Sequence, residues 1–425
     1  MVRGAQNACL YDTLGGDMQS LYKLESDFLA QAQGPISVED LLAQRPDDER
    51  QRLLAFLAQL GERNLARQYD EPYHVKPLER GLGGGFITFF QPTRLQVLFL
   101  EVNQDCGLDC LFCRPRDIAG RGTGCGRHGD AKGTPLTSER RQELISQAAD
   151  LGAMELQLCG GDALAAPGWE DLATTALARG FLQVTIWTTG LRPIDDRWLR
   201  NPRVKFALQV FSSVEKVHDE VAGRRGAFTA LVGNLERMRE RDGNPLLTLV
   251  VTRRNEEDCE RAQSFFQSFT KLPLRVAPLY PTGENGLAPV GPGAKFLSVR
   301  HWFMRADLRY LSVFEGFHPC LSGKMAVTVD GRVLPCLAGR SWTMGDAHTE
   351  DLWNILSSGR HKPYWELTKA RLGKCSRCEF RLGCFDCRVI QGDGESLTEV
   401  NHCDYDPVTG TWGPEDGRSQ LQPGP

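Results

Sequence analysis

From Gln96 to Leu279 short apolar runs alternate with segments of helical periodicity. The runs are Gln96–Val102, Met154–Leu158, Gln183–Trp187, Val204–Val210, Leu246–Thr252 and Leu274–Leu279, each rich in Leu and Val. Between them, Ser138–Leu151, Trp169–Ala178, Phe228–Arg241 and Asn255–Phe269 carry apolar residues three and four apart. Strands alternating with helices predict βαβ units around a parallel sheet, an α/β fold. Six strands are too few to close an eight-stranded barrel.

The first 90 residues follow a different rhythm. Leu21, Leu24 and Phe28 recur at helical spacing, which predicts one amphipathic helix over about 17–33. Ser37, three residues before Asp40, is a weak helix-start signal. A second helix is expected from Asp47 to about Arg63, with Leu53, Leu54, Leu57 and Leu60 on one face and an end near Gly61. Cys9–Asp12 is strand-like, and the glycines of 81–85 read as a joint. The organisation expected is therefore 1–90 as a capping unit, 95–285 as the parallel α/β unit, 310–405 as a cysteine-rich unit and 406–425 as a Gly/Pro-rich flexible tail.

Composition narrows the function classes. With 41% hydrophobic and 24% charged residues, 425 residues suffice for packed cores in two or three domains. A net charge of −4 without a long Lys/Arg run argues against nucleic acid or an anionic membrane as partner. No apolar stretch reaches membrane-spanning length and the start lacks a signal-peptide core, so a cytoplasmic location is expected. In a reducing compartment the 14 cysteines read as metal ligands rather than disulfides.

Their spacing carries the chemistry. Cys106, Cys110 and Cys113 fall within eight residues, so three thiols can gather on one tight loop. A four-iron cluster held there keeps one iron open to a small molecule, whereas a zinc site would be completed by Cys125 or His128. The segment 114–133, with six Gly and five Lys/Arg, follows directly and is either a lid over an acidic substrate or a solvated surface loop. Seven further cysteines crowd the last quarter: Cys320, Cys336, Cys375, Cys378, Cys384, Cys387 and Cys403. Paired CxxC spacing there also admits zinc ribbons.

The Cys106/Cys110/Cys113 spacing, with Phe112 before the third thiol, resembles the signature of radical S-adenosylmethionine (SAM) enzymes. The resemblance implies an open partial (β/α)6 barrel over 95–285, with cluster and substrate at the C-terminal strand ends. It implies that SAM binds the open iron and yields a 5′-deoxyadenosyl radical. Gly160-Gly161-Asp162 resembles the family's Gly-Gly-Glu turn, and Thr188-Thr189-Gly190 its polar turn near the SAM ribose. His218-Asp219 with Gly223, Gly226 and Phe228 resembles a stretch of peptide-modifying members, except that Ala222 replaces an arginine and Val210 a serine. Gln209, Ser212, Arg224 or Arg225 are the substitutes this suggests. The last seven cysteines, with Gly331 between the first two, resemble the SPASM domain, although Cys384 and Cys387 are one residue closer than usual. That resemblance implies two auxiliary iron–sulfur clusters, making three [4Fe-4S] clusters in all. Cys375, Cys378, Cys384 and Cys403 would hold the outer one, and Cys320, Cys336 and Cys387 the inner one. The first 90 residues loosely resemble the winged-helix elements that bind leader peptides. The implied activity is crosslinking of a ribosomally made peptide, with flavodoxin or ferredoxin as electron donor. Formylglycine formation ranks lower, because Leu337 stands where those enzymes place an aspartate. A non-catalytic iron–sulfur or zinc scaffold is the reading from another class.

Overall fold

The computed structural model describes residues 1–12, 15–34, 36–70, 93–113, 131–252, 254–278, 308–391, 396–400, 403 and 405–412. The glycine joint of 81–85, most of the basic segment including Cys125 and His128, and the chain end lie outside them.

Three short strands, β1 (Val2–Arg3), β2 (Ala8–Tyr11) and β3 (Met18–Leu21), form an antiparallel sheet in that order. Helices α1 (Lys23–Gln31), α2 (Val38–Ala43) and α3 (Asp47–Glu62) follow. The helix expected over 17–33 is thus shorter: its first turn is strand. Met18 pairs with Tyr11 and Leu21 with Ala8, so cross-strand partners, invisible to local periodicity, decide the conformation. Ser37 does start a helix, its Oγ accepting the Asp40 N–H at 3.0 Å. In α3 the buried face is Leu53, Phe56 and Leu60, while Leu54 is half exposed. Positions i, i+3 and i+7 share a face; Leu54 sits about 100° round from Leu53.

The core of the molecule is one sheet. β4 (Val97–Glu101), β5 (Glu155–Cys159), β6 (Gln183–Thr188), β7 (Val204–Val210), β8 (Leu246–Val251) and β9 (Arg275–Pro278) lie side by side, parallel and in sequence order. Between them run α4 (Ser138–Asp150), α5 (Trp169–Ala178), α6 (Asp196–Leu199), α7 (Glu215–Ala222), α8 (Ala227–Glu240) and α9 (Cys259–Gln267). All six expected strands are present. Successive side chains point to opposite faces. Leu98, Leu156, Ile186, Phe206 and Leu249 join Leu144 and Ile145 of α4 and Leu231 of α8 in one buried cluster. Each such side chain contributes roughly 1.5–3 kcal/mol on burial. The alternate positions share the other face, and several of them are polar: Trp187 Nε1 donates to Gln157 at 2.8 Å, and Gln183 and Thr185 both donate to Glu155.

The C-terminal region completes the sheet instead of forming a separate one. β10 (Lys324–Val327) pairs parallel with β4, from Lys324 opposite Val97 to Val327 opposite Leu100. β11 (Arg332–Leu334) and β12 (Gly345–Asp346) continue antiparallel, giving nine strands. The edge that β4 would otherwise expose is thereby paired. Buried Glu101 locks the joint, accepting the Val329 N–H at 2.9 Å and facing Arg340 at 3.3 Å.

The tail expected to be flexible from 406 begins as a hairpin, β13 (Tyr405–Asp406) with β14 (Thr411–Trp412). Trp412 packs on Tyr405 and Phe380, an aromatic contact that Gly/Pro content does not reveal. The N-terminal sheet docks on the same place. Tyr11 donates to Glu379 O, Ala5 N–H to Arg377 O, and Cys9 is buried with Phe380 and Tyr405. Among the described residues no helix is long and apolar enough to cross a membrane.

Candidate active site and thiol clusters

The loop after β4 carries Cys106, Cys110 and Cys113 at the C-terminal edge of the sheet. Backbone contacts hold it from two sides. Asp109 N–H and Leu111 N–H donate to Ala222 O and Val221 O at the end of α7, and Arg224 donates to Gly107 O at 2.8 Å. On the other side Asp162 N–H donates to Asp105 O, and Asn103 Nδ2 to Asp162 O. Gly161 and Gly223 have φ of +47° and +63°, and a Cβ on either would collide with the carbonyl of Asp105 or Asp109. These glycines therefore admit the thiol loop itself.

The three thiols line a cleft, partly open to solvent, with Phe112, Trp187, Thr188, Thr189 and Gln209 among its walls. Cys110 is buried; Cys106 and Cys113 are half-buried. Phe112 is fully buried edge-on against Phe211, which fixes the loop's last turn. Of the residues expected at SAM, Phe112, Gly161, Thr188, Thr189 and Gln209 do line this cleft. Gly160 lies under it against Asn103 O. Asp162 is buried, its carboxylate accepting from Leu164 N–H and the Thr189 hydroxyl. Ser212 is buried with its hydroxyl on Asp258 at 2.5 Å.

His218-Asp219 builds this corner without reaching the cleft wall. His218 is buried between Phe211 and Phe228, and burial lowers its pKa to about 4. Asp219 caps α8 by accepting from Gly226 and Phe228 N–H groups. Trp187 and the polar row with Gln157 and Glu155 were missed in the sequence, where they hide inside runs that read as uniformly apolar. Their alternation with Leu156, Leu158 and Ile186 was the available signal.

The remaining thiols form two groups. Cys320 and Cys336 bracket the β10–β11 hairpin, and the electrostatic influence of Cys320 reaches Cys336 and raises its pKa beyond the rise caused by burial. Cys336 and Cys387 pack on the same cluster of Leu321, Trp342 and Val389. They lie toward the start of β4, whereas the Cys106 loop follows its end; five strand residues span roughly 17 Å. Cys375, Cys378 and Cys384 interact electrostatically with one another, and Cys375 also with Cys403. Burial raises all three above an ordinary thiol. Buried Lys369 and Arg388 stand beside this group. Cys159 is sealed at the end of β5, its pKa raised by burial and then by Glu101.

Two buried cations among thiols suit an anionic thiolate cluster, and three thiols around an open cleft suit one with an exchangeable position. The fold is a parallel half-barrel, and its thiols are a donor set suited to iron–sulfur clusters. Residues 320–379 match the SPASM family, an iron-sulfur cluster-binding domain. The AdoMet-dependent heme synthase of Methanosarcina barkeri is 24% identical over 350 residues, 72% of this chain and 95% of that protein. Among solved structures, anSMEcpe with bound AdoMet and Cp18Cys peptide covers 72% of this chain and 93% of its own, at 16% identity and a TM-score of 0.53. SuiB of Streptococcus suis covers 94% of this chain and 98% of its own, at 13% identity and a TM-score of 0.50. The half-barrel thus shares the fold of these structures, and the SPASM match takes in Cys320, Cys336, Cys375 and Cys378 of the C-terminal region.

Proposed function

We propose that the protein is a peptide maturase that installs a crosslink in a ribosomally made peptide. Cys106, Cys110 and Cys113 are its ligands for a SAM-binding four-iron cluster, which when bound supplies the 5′-deoxyadenosyl radical that removes hydrogen from an unactivated carbon. Trp187, Thr188, Thr189 and Gln209 wall the cleft in which SAM and the reacting carbon meet. Cys375, Cys378, Cys384 and Cys403 hold an outer auxiliary cluster, and Cys320, Cys336 and Cys387 an inner one. The observation that carries the reading is the cleft that the three thiols line together with Trp187, Thr189 and Gln209, with Gln157 bonded to Trp187 on the same sheet face.

Peptide is favoured over tetrapyrrole because likeness to SuiB extends over 94% of the chain, while likeness to the heme synthase extends over 72%. That relative nonetheless supports a second reading, oxidation of a tetrapyrrole at the same cleft. Only three cysteines serve the inner site, which leaves one position for a peptide thiolate and favours a thioether over a carbon–carbon bond. The electron donor is a flavodoxin or ferredoxin. The test is anaerobic incubation of reconstituted protein with SAM, reductant and a leader-bearing peptide. A mass loss of about two hydrogens in the peptide supports the reading; conversion of a porphyrinogen with the peptide untouched overturns it.

A further inference from the structure

Lys369 is 4% exposed and Arg388 2%, and both are ion-paired to a single carboxylate, Asp386, itself 6% exposed. His318 completes the group, its Nε2 lying 3.8 Å from Asp386 Oδ1. Its Nδ1 accepts the N–H groups of Cys320 and Leu321, both at 3.1 Å, which places the ring proton on Nε2 and leaves the ring neutral. Among the described residues two buried cations therefore face one buried carboxylate. Desolvating an uncompensated charge costs several kcal/mol, so the excess positive charge requires a further anion close by. The candidates stand on the same side: Lys369 interacts electrostatically with Cys375, Cys384 and Cys403, and Arg388 with these and Cys387. Arg388 is fixed there, donating to Leu397 O and Glu399 O at 3.2 and 2.9 Å. The barrel loop is held differently, by main-chain bonds and the half-exposed Arg224 on Gly107 O.

We propose that Lys369 and Arg388 set the potential of the outer auxiliary site, holding Cys375, Cys378, Cys384 and Cys403 in a buried positive field that favours the reduced cluster, with Asp386 as counterweight. The proposal rests on the ligand set given under Proposed function. Reduction adds one electron, and one negative charge, to the cluster; that electron comes from a one-electron carrier protein or from the carbon-centred substrate radical, which is oxidised by one electron. No proton need move, because the cations are already in place. Neighbouring positive charge stabilises the more negative member of the couple and raises its potential. A site so biased serves as an acceptor for an electron left on substrate.

The test is an anaerobic redox titration followed by electron paramagnetic resonance. It uses the full chain with Cys106, Cys110 and Cys113 replaced by Ala, so that only the auxiliary sites load. Iron content and the presence of two auxiliary signals test the ligand set independently of the potentials. Lys369→Met is expected to lower the midpoint of one signal, Lys369→Arg to leave it near the parent, and Asp386→Asn to raise it. Opposite shifts from the two charge removals are a signature that a packing role does not produce. Should Lys369→Met fail to retain iron, Asp386→Asn carries the test alone. An unchanged or lowered midpoint in Asp386→Asn overturns the proposal, as does an unchanged midpoint in iron-replete Lys369→Met. Loss of iron in both variants, with Lys369→Arg loaded, makes the residues structural and overturns it equally.

Discussion

Two thiol sites in this chain are built on opposite principles. The loop of Cys106, Cys110 and Cys113 is seated by main-chain hydrogen bonds and by glycines that give its carbonyls room, and it opens on a cleft. Of the C-terminal thiols, Cys375, Cys378, Cys384 and Cys403 are half-buried, with Lys369, Arg388 and Asp386 buried beside them and the N-terminal sheet laid over Cys378 and Phe380. A cleft-lining site seated mainly by main-chain groups suits exchange of a ligand; a site beside buried ion-paired cations suits storage of an electron. The difference shows why one sheet carries both: β4 leads into the first site and its partner β10 into the second, joined through Glu101 and Arg340.

The contrast breaks most completely at Gly161. Gly161→Val drives a side chain into Asp105 O, and displacing the loop by about 1 Å is expected to cost SAM cleavage about 100-fold. Auxiliary iron should stay in place, so iron analysis beside 5′-deoxyadenosine assays separates the sites. Removing residues 1–66 should do the reverse. It uncovers Cys378, Phe380 and Tyr405, and the outer site is expected to lose iron in air several times faster while unprimed SAM cleavage persists. Bleaching followed by absorbance measures this; equal rates would mean that the N-terminal sheet does not shield the site.

A pH effect sharpens the comparison from the barrel side. His218 has a folded pKa of about 4, below its ordinary 6.5, because burial disfavours its charge. Its contribution is whole above about pH 6.5 and is lost as pH falls from there towards 4, by about 3 kcal/mol. Urea unfolding across that range should show the slope, and His218→Phe, retaining the aromatic packing, should flatten it. The smallest effect concerns the N-terminal cover: Ser37→Ala removes the cap of α2 and is expected to cost about 1 kcal/mol, measured by thermal unfolding.

What was legible in the sequence follows from where the information sits. The six barrel strands and the thiol spacings are local patterns, and each appears where expected. Met18–Leu21 was read as helix because its strand character comes from β2, ten residues upstream in register. The hairpin at 405–412 depends on Phe380, which supplies the apolar surface that the tail lacks. The polar concave face was hidden because Gln157, Trp187 and Gln209 alternate with larger runs of Leu, Ile and Val. Lys369, Asp386 and Arg388 carry no local signal in the sequence; the fold buries them together.

The central claim is that the three-thiol cleft cleaves SAM. It is tested most directly by giving reductant and SAM to anaerobically reconstituted full-length protein and measuring 5′-deoxyadenosine beside Cys110→Ala. Release by the parent, absent from a variant that keeps its auxiliary iron, is the result expected. Equal release by both proteins, or zinc in place of iron in anaerobically purified parent, would contradict it.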